Sequence, residues 1–196
     1  MQPKFNQIMV GVLSPIYEAL NKWGDQDTEH QKKDMERADV FRPLVLGSMA
    51  KYGNKEVIDE CTAKFDSFVV EKKDDEKSNI PDALRTMVYG NALKHGDKTK
   101  YEALKQHYLT TEDNMDKRRA LTCLGATRDP ELIKQTLYWS KDSDEVRKQD
   151  KTFALGRCTA TPEGRELCWE FIKTTIADWK DQYGVFLECL ILCPSR

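Results

Sequence analysis

The sequence predicts an all-α chain of stacked antiparallel helical hairpins, on three observations. Helix stops and helix starts stand back to back at four joints: Gly53-Asn54, Gly96-Asp97, Asp129-Pro130 and Thr161-Pro162. Glycine ends a helix cheaply by entering the left-handed conformation, and Asn or Asp starts the next by accepting from its free N–H groups. After the first two joints, apolar residues recur four, seven and eleven positions on, which is one face of a helix. Ile58, Cys61 and Phe65 follow Asn54, and Tyr101, Leu104 and Tyr108 follow Asp97. Counted at Gly53, Gly96, Asp129 and Pro162, the joints are 43, 33 and 33 residues apart, about one helical hairpin each. Such hairpins cannot bury their apolar faces alone, so they stack, as in superhelices of the HEAT or armadillo type. A plain helical bundle would show similar hairpins, and the period is what favours the superhelix.

In chain order, Ser14-Pro15 offers an N-cap with proline at the first helical position, and Ile16, Tyr17, Leu20 and Trp23 follow as a face. Residues 24–37, GDQDTEHQKKDMER, read as a polar connector whose end feeds a helix. There Phe41, Leu44, Val45, Met49 and Tyr52 recur at three- and four-residue steps. Residues 71–85, EKKDDEKSNIPDALR, read as a solvated loop of mixed charge ending in an Ile-Pro-Asp turn that opens a helix. Asp129-Pro130 starts a helix with Ile133 and Leu137. Thr161-Pro162-Glu163-Gly164 starts another, with Cys168, Phe171, Ile172, Ile176 and Trp179. From Val185 to Cys193 the chain is apolar almost all round, as in a helix buried on every side. That predicts a cover from elsewhere or self-association through 183–193. Residues 1–196 are read as a single helical-repeat domain.

Composition narrows the function. Of 196 residues, 39% are apolar and 33% charged, and the net charge of -2 gives no electrostatic reason to expect nucleic acid as a partner. No run of about 18 apolar residues exists to span a membrane. The N-terminus, MQPKFNQIMVGVL, lacks an A-x-A-like cleavage site, so a cytoplasmic location is expected. The cysteines Cys61, Cys123, Cys158, Cys168, Cys189 and Cys193 form no C-x-x-C pair. His30, His95 and His107 stand at no zinc-ligand spacing from them. Most of these cysteines fall among apolar residues at helical spacing, where a reduced thiol acts as a small hydrophobe.

No catalytic or metal-binding residue is identified. A zinc-peptidase helix needs two histidines four apart with a glutamate as general base, and no such pair exists; G-x-S-x-G, G-x-x-x-x-G-K-[ST] and G-x-G-x-x-G are also absent. One polar group stands out in SDEVRKQDKTFALGRC. Val146 and Phe153 define an apolar face, and Gln149 and Asp150 lie between them at helical steps, aimed toward the packed side. Either they cap or bridge a neighbouring helix, as buried polar groups must find partners, or with Arg147 they line a surface that meets a peptide or another domain.

Six blocks in order carry a resemblance: LSPIYEAL (13–20), RPLVLGSMAKYG (42–53), IPDALRTMVYGNALKHGD (80–97), LGATRDPELI (124–133), SDEVRKQD (143–150) and GRELCWEFIK (164–173). Together they resemble the C-terminal helical domain of the puromycin-sensitive aminopeptidase group of zinc metallopeptidases, related to the endoplasmic reticulum aminopeptidases. The resemblance implies a HEAT-like superhelix that closes over a separate zinc peptidase domain and helps enclose the peptide. It carries over no catalytic residue, and zinc is expected in that separate domain. The family pattern differs near Arg157 and Cys158, where a small residue is usual, and near Val185, where a second glycine is usual. It also has further helices after the position of Arg196. Two readings follow: the non-catalytic C-terminal domain of a cytosolic zinc aminopeptidase, or a free-standing helical interaction module derived from one. The expected partners are the peptidase domain of the same protein or peptides.

Overall fold

The computed structural model describes residues 2–20, 22–23, 35–72 and 80–183. Every regular element among them is helical. In chain order they are α1 (Gln2–Ala19), α2 (Met35–Lys51), α3 (Lys55–Phe65) with a π-helical turn (Asp66–Val70), α4 (Asp82–His95), α5 (Lys98–Thr110) and α6 (Asn114–Leu124). Then come α7 (Pro130–Asp142), a 3-10 turn (Lys148–Ala154), α8 (Leu155–Cys158) and α9 (Pro162–Tyr183). The apolar stretch from 185 to 193 and most of the polar connector lie outside the described residues.

Three of the four joints form as cap chemistry requires. Asn54 accepts from the Val57 N–H, Asp97 from the Thr99 and Lys100 N–H groups, and Asp129 from the Glu131 N–H with Pro130 in the first turn. At the fourth, the Thr161 hydroxyl accepts from the Gly164 N–H at 3.0 Å. Each satisfies donors that the first helical turn leaves unpaired.

The glycines at the joints serve different ends. Gly53 has φ +85, the left-handed stop the sequence predicts. Gly96 instead has an extended backbone (φ -94, ψ -174), and a Cβ there would press on the Lys100 side chain and the Ala92 carbonyl. Gly125 stays right-handed and is small because α8 passes over it: a Cβ would stand 2.6 Å from the Cys158 backbone nitrogen.

The N-terminal reading needs correction. Ser14 is no N-cap, because α1 begins at Gln2 and runs through Pro15. The Ser14 hydroxyl donates to the Val10 carbonyl one turn back, a bond that competes with capping. Tyr17 and Trp23 are buried, but Ile16 is exposed. In α2, Val45 and Met49 are buried as expected, together with Leu46 and Ala50, whereas Phe41 and Leu44 are exposed. Arg42 takes the core side instead, donating from Nη2 to the Leu20 carbonyl at 3.0 Å.

Packing follows an alternating rule. Helices α1 to α6 touch in succession, and α2, α4, α6 and α8 also contact one another in series as one layer. The larger core joins α1 through α7, with Tyr89, Tyr101, Phe65, Leu104 and Leu121 fully buried. A smaller cluster, Ile133, Leu137, Cys158, Cys168, Phe171 and Trp179, fastens α9 onto α7 and α8. The offsets read from Asn54 and Asp97 hold: Cys61, Phe65, Tyr101, Leu104 and Tyr108 are buried, and Ile58 packs at the core edge.

Candidate functional site: a cationic groove

The layer formed by α2, α4, α6 and α8 carries a cavity of about 550 Å³. Its α2 wall is Pro43, Leu44, Gly47 and Lys51, its α4 wall runs from Ala83 to Lys94, and its far side is Ala126, Gly156, Arg157 and Thr159 to Thr161. Small residues keep it open. A Cβ on Gly90 would collide with the Arg157 guanidinium, so glycine is what lets that side chain lie against the backbone of α4.

Charge in the groove is one-signed. Lys51, Lys94 and Arg157 line it, and no Asp or Glu does among the described residues. Burial lowers the Lys94 pKa, and Arg128, Lys51 and Arg157 lower it further, because each opposes a second positive charge nearby. His95, next in the chain, is lowered by burial and then by Arg128 and Lys94. None of Lys51, Lys94, Arg128 and Arg157 has an ion pair among the described residues, whereas Arg85, Arg118, Arg147 and Lys141 each reach a carboxylate.

Two buried acids hold the frame behind this groove. Asp116 of α6 is 1% exposed and has His107 Nε2 at 2.7 Å, the Tyr89 hydroxyl at 3.2 Å from both oxygens and Arg85 Nη1 at 3.4 Å. Phe68 of the π-helical turn packs on this group, with its ring 5.8 Å from that of His107 and 4.9 Å from the Arg85 guanidinium. Burial opposes ionisation of Asp116, but His107, Arg85 and Tyr89 outweigh it and hold the carboxyl below its ordinary value. The second acid is Asp150, also 1% exposed, which accepts from Arg118 Nε at 2.9 Å and from Arg147 Nε at 2.6 Å.

The structure therefore brings Arg147 and Asp150 together and ties both to α6, since Arg147 also donates to Asn114 Oδ1 at 2.9 Å. Gln149 is exposed, and none of the three lines the groove. Val146 is buried as expected. Phe153 is not: it lies 39% exposed beneath the Arg118 guanidinium, because this stretch winds as a 3-10 turn rather than an α-helix.

Sequence reasoning missed the groove residues. Lys94 stands among the basic residues in the last turn of α4 with nothing local to set it apart, and Arg157 enters only as a departure from a family pattern. Their one available signal was that neither has a carboxylate three or four residues away on its own helix.

Among the described residues, no group of three or more His, Cys, Asp or Glu is placed to hold a metal ion. His107 with Asp116 has Arg85 and Tyr89 as its other partners and does not fit zinc. Cys61, Cys123, Cys158 and Cys168 are free and buried, and burial pushes the Cys61 and Cys123 thiols up to about 12 and about 11, so neither is a reactive thiolate. No described helix is long and apolar enough to cross a membrane.

Helices packed in this order, with a groove in one layer, define an all-helical domain. Residues 1–190 match the model of the ERAP1-like C-terminal domain, and the chain belongs to that family. It is 29% identical over 137 residues to aminopeptidase M1 of Arabidopsis thaliana, covering 68% of this chain and 15% of that protein. It is 24% identical over 156 residues to the puromycin-sensitive aminopeptidase of Caenorhabditis elegans, covering 77% and 16%. Aminopeptidase M1-B of Oryza sativa subsp. japonica is 27% identical over 173 residues, covering 85% and 18%. The chain thus spans less than a fifth of the length of these relatives, in the part that is the C-terminal domain of M1 aminopeptidases.

Proposed function

We propose that the chain is the non-catalytic C-terminal domain of a cytosolic zinc aminopeptidase of the puromycin-sensitive type, and that its groove helps enclose the peptide substrate. The observation that carries this reading is the groove itself. Its volume lies in the range of ligand sites, roughly 300 to 1,000 Å³, and the small residues Gly47, Ala83 and Gly156 leave room for an extended chain to pass. In this reading the layered helices belong to a HEAT-like superhelix, and zinc stays in the separate peptidase domain. Free, buried cysteines agree with a reducing compartment.

A second face fits the peptidase domain. Phe5, Ile8, Val12 and Ile16 of α1 are all exposed and recur at three- and four-residue steps, an apolar stripe of the kind that marks a protein interface. Arg147, exposed just before the 3-10 turn, and Gln149, exposed on it, are assigned in this reading to the surface that meets the peptide or that domain, with Asp150 holding Arg147 in place.

The test uses the aminopeptidase polypeptide that carries this domain. Ala83→Trp puts a large side chain on an exposed position of the groove wall. It should lower kcat/KM for ten-residue peptides and leave hydrolysis of an aminoacyl-naphthylamide unchanged. An equal effect on both substrates, or on neither, overturns substrate enclosure. A transcript with a stop codon and no in-frame H-E-x-x-H upstream of Met1 would replace the domain reading with the free-standing module.

A further inference from the structure

We propose that the groove binds acidic peptide segments, with side-chain carboxylates of the ligand pairing with Arg157, Lys94 and Lys51. The inference deepens the reading that the groove meets peptide, and it names which peptides.

The arrangement of the cations, not the overall charge of -2, selects this ligand. Three cations from three helices, spread over more than a hundred residues of chain, converge on one cavity with no carboxylate in its lining among the described residues. Arg128 adds a fourth close enough to act on both Lys94 and His95. Like charges held together in a partly desolvated cleft repel one another, a cost that is relieved when an anion enters. Elsewhere the chain avoids this cost with partners of its own: Arg118 and Arg147 share Asp150, and Arg85 reaches Asp82, Asp113 and Asp116.

The shape suits a peptide better than a small free anion. Pro43, Leu44 and Met87 add apolar lining beside the cationic groups, so a fitting ligand offers both carboxylates and apolar stem or backbone. Arg157 is half-buried and presents a planar fork that matches a carboxylate in two hydrogen bonds. Lys51, exposed at the groove edge, contributes mainly to attraction at a distance.

The test is read on binding, not on hydrolysis, so it stands or falls separately from the role in substrate enclosure. Two ten-residue peptides, acetylated and amidated so that neither has a terminal charge, differ only in carrying four glutamates or four glutamines. Titration of the 196-residue chain, followed by fluorescence anisotropy, should give a Kd at least about tenfold lower for the glutamate peptide, and added salt should erase the difference. Arg157→Gln should remove about tenfold of that affinity, and Lys51→Glu, on the exposed edge where folding is not at stake, should also weaken it. Equal binding of the two peptides overturns the proposal. So does loss of binding confined to amidation of an otherwise identical free-acid peptide, which would make a terminal carboxylate the ligand. Binding that neither Arg157→Gln nor Lys51→Glu changes would place the site elsewhere and overturn it too.

Discussion

Replacing Asp116 with alanine removes the acceptor on which α4, α5 and α6 converge. The Tyr89 hydroxyl, His107 Nε2 and Arg85 all lose a partner at a point that is 1% exposed, where water cannot take its place. Breaking a buried charge pair by deleting one member costs about 3–5 kcal/mol, a large share of the roughly 5–15 kcal/mol that holds a domain folded. For a chain of this size each kcal/mol lowers Tm by about 2–4 °C, so a fall of about 6–20 °C is expected. Urea and thermal unfolding at pH 7, followed by far-UV circular dichroism, measure it. A loss below about 1 kcal/mol refutes the idea that this cluster fastens the three helices.

The same group sets an acid limb. The folded Asp116 carboxyl titrates below its unfolded value of about 3.9. Its contribution is therefore complete above that value and is lost as pH falls through the folded pKa. Asp116→Asn should lack this limb, so the stability of the two proteins should converge in acid.

Two further outcomes test the joints. Asp129→Ala deletes the cap that accepts from the Glu131 N–H and should cost about 1 kcal/mol in urea unfolding, within a range of about 0.5–2. Gly125→Ala should cost about 1–3 kcal/mol by overpacking, because the new Cβ meets the backbone of Cys158, which cannot rotate away. A neutral Gly125→Ala would mean that α8 does not press on the end of α6.

What the sequence made legible was local. Asn54, Asp97 and Asp129 act within three residues of themselves, so their capping role could be read directly, and the offsets that follow them mark true core faces. Glycine was less readable, because one residue type answers two demands. Gly53 needs a left-handed backbone, whereas Gly125 needs only the absence of a side chain under α8, and that neighbour is distant in the chain. Phe41 and Leu44 were assigned inward because periodicity fixes a face only to within about one residue, and the burial of Arg42 turned the helix past them. The groove was invisible for a stronger reason. Lys51, Lys94 and Arg157 mean nothing separately, and only the stacking of α2, α4 and α8 makes them one electrostatic site.

The central claim is that this chain supplies a wall for peptide and no reaction centre. Hydrolysis of aminoacyl-naphthylamides by the purified chain, measured with added zinc across the fractions of a final sizing column, tests it most directly. The account predicts no turnover that follows the chain's own elution profile. Zinc-dependent turnover that co-elutes with the chain and disappears with a chelator would contradict it.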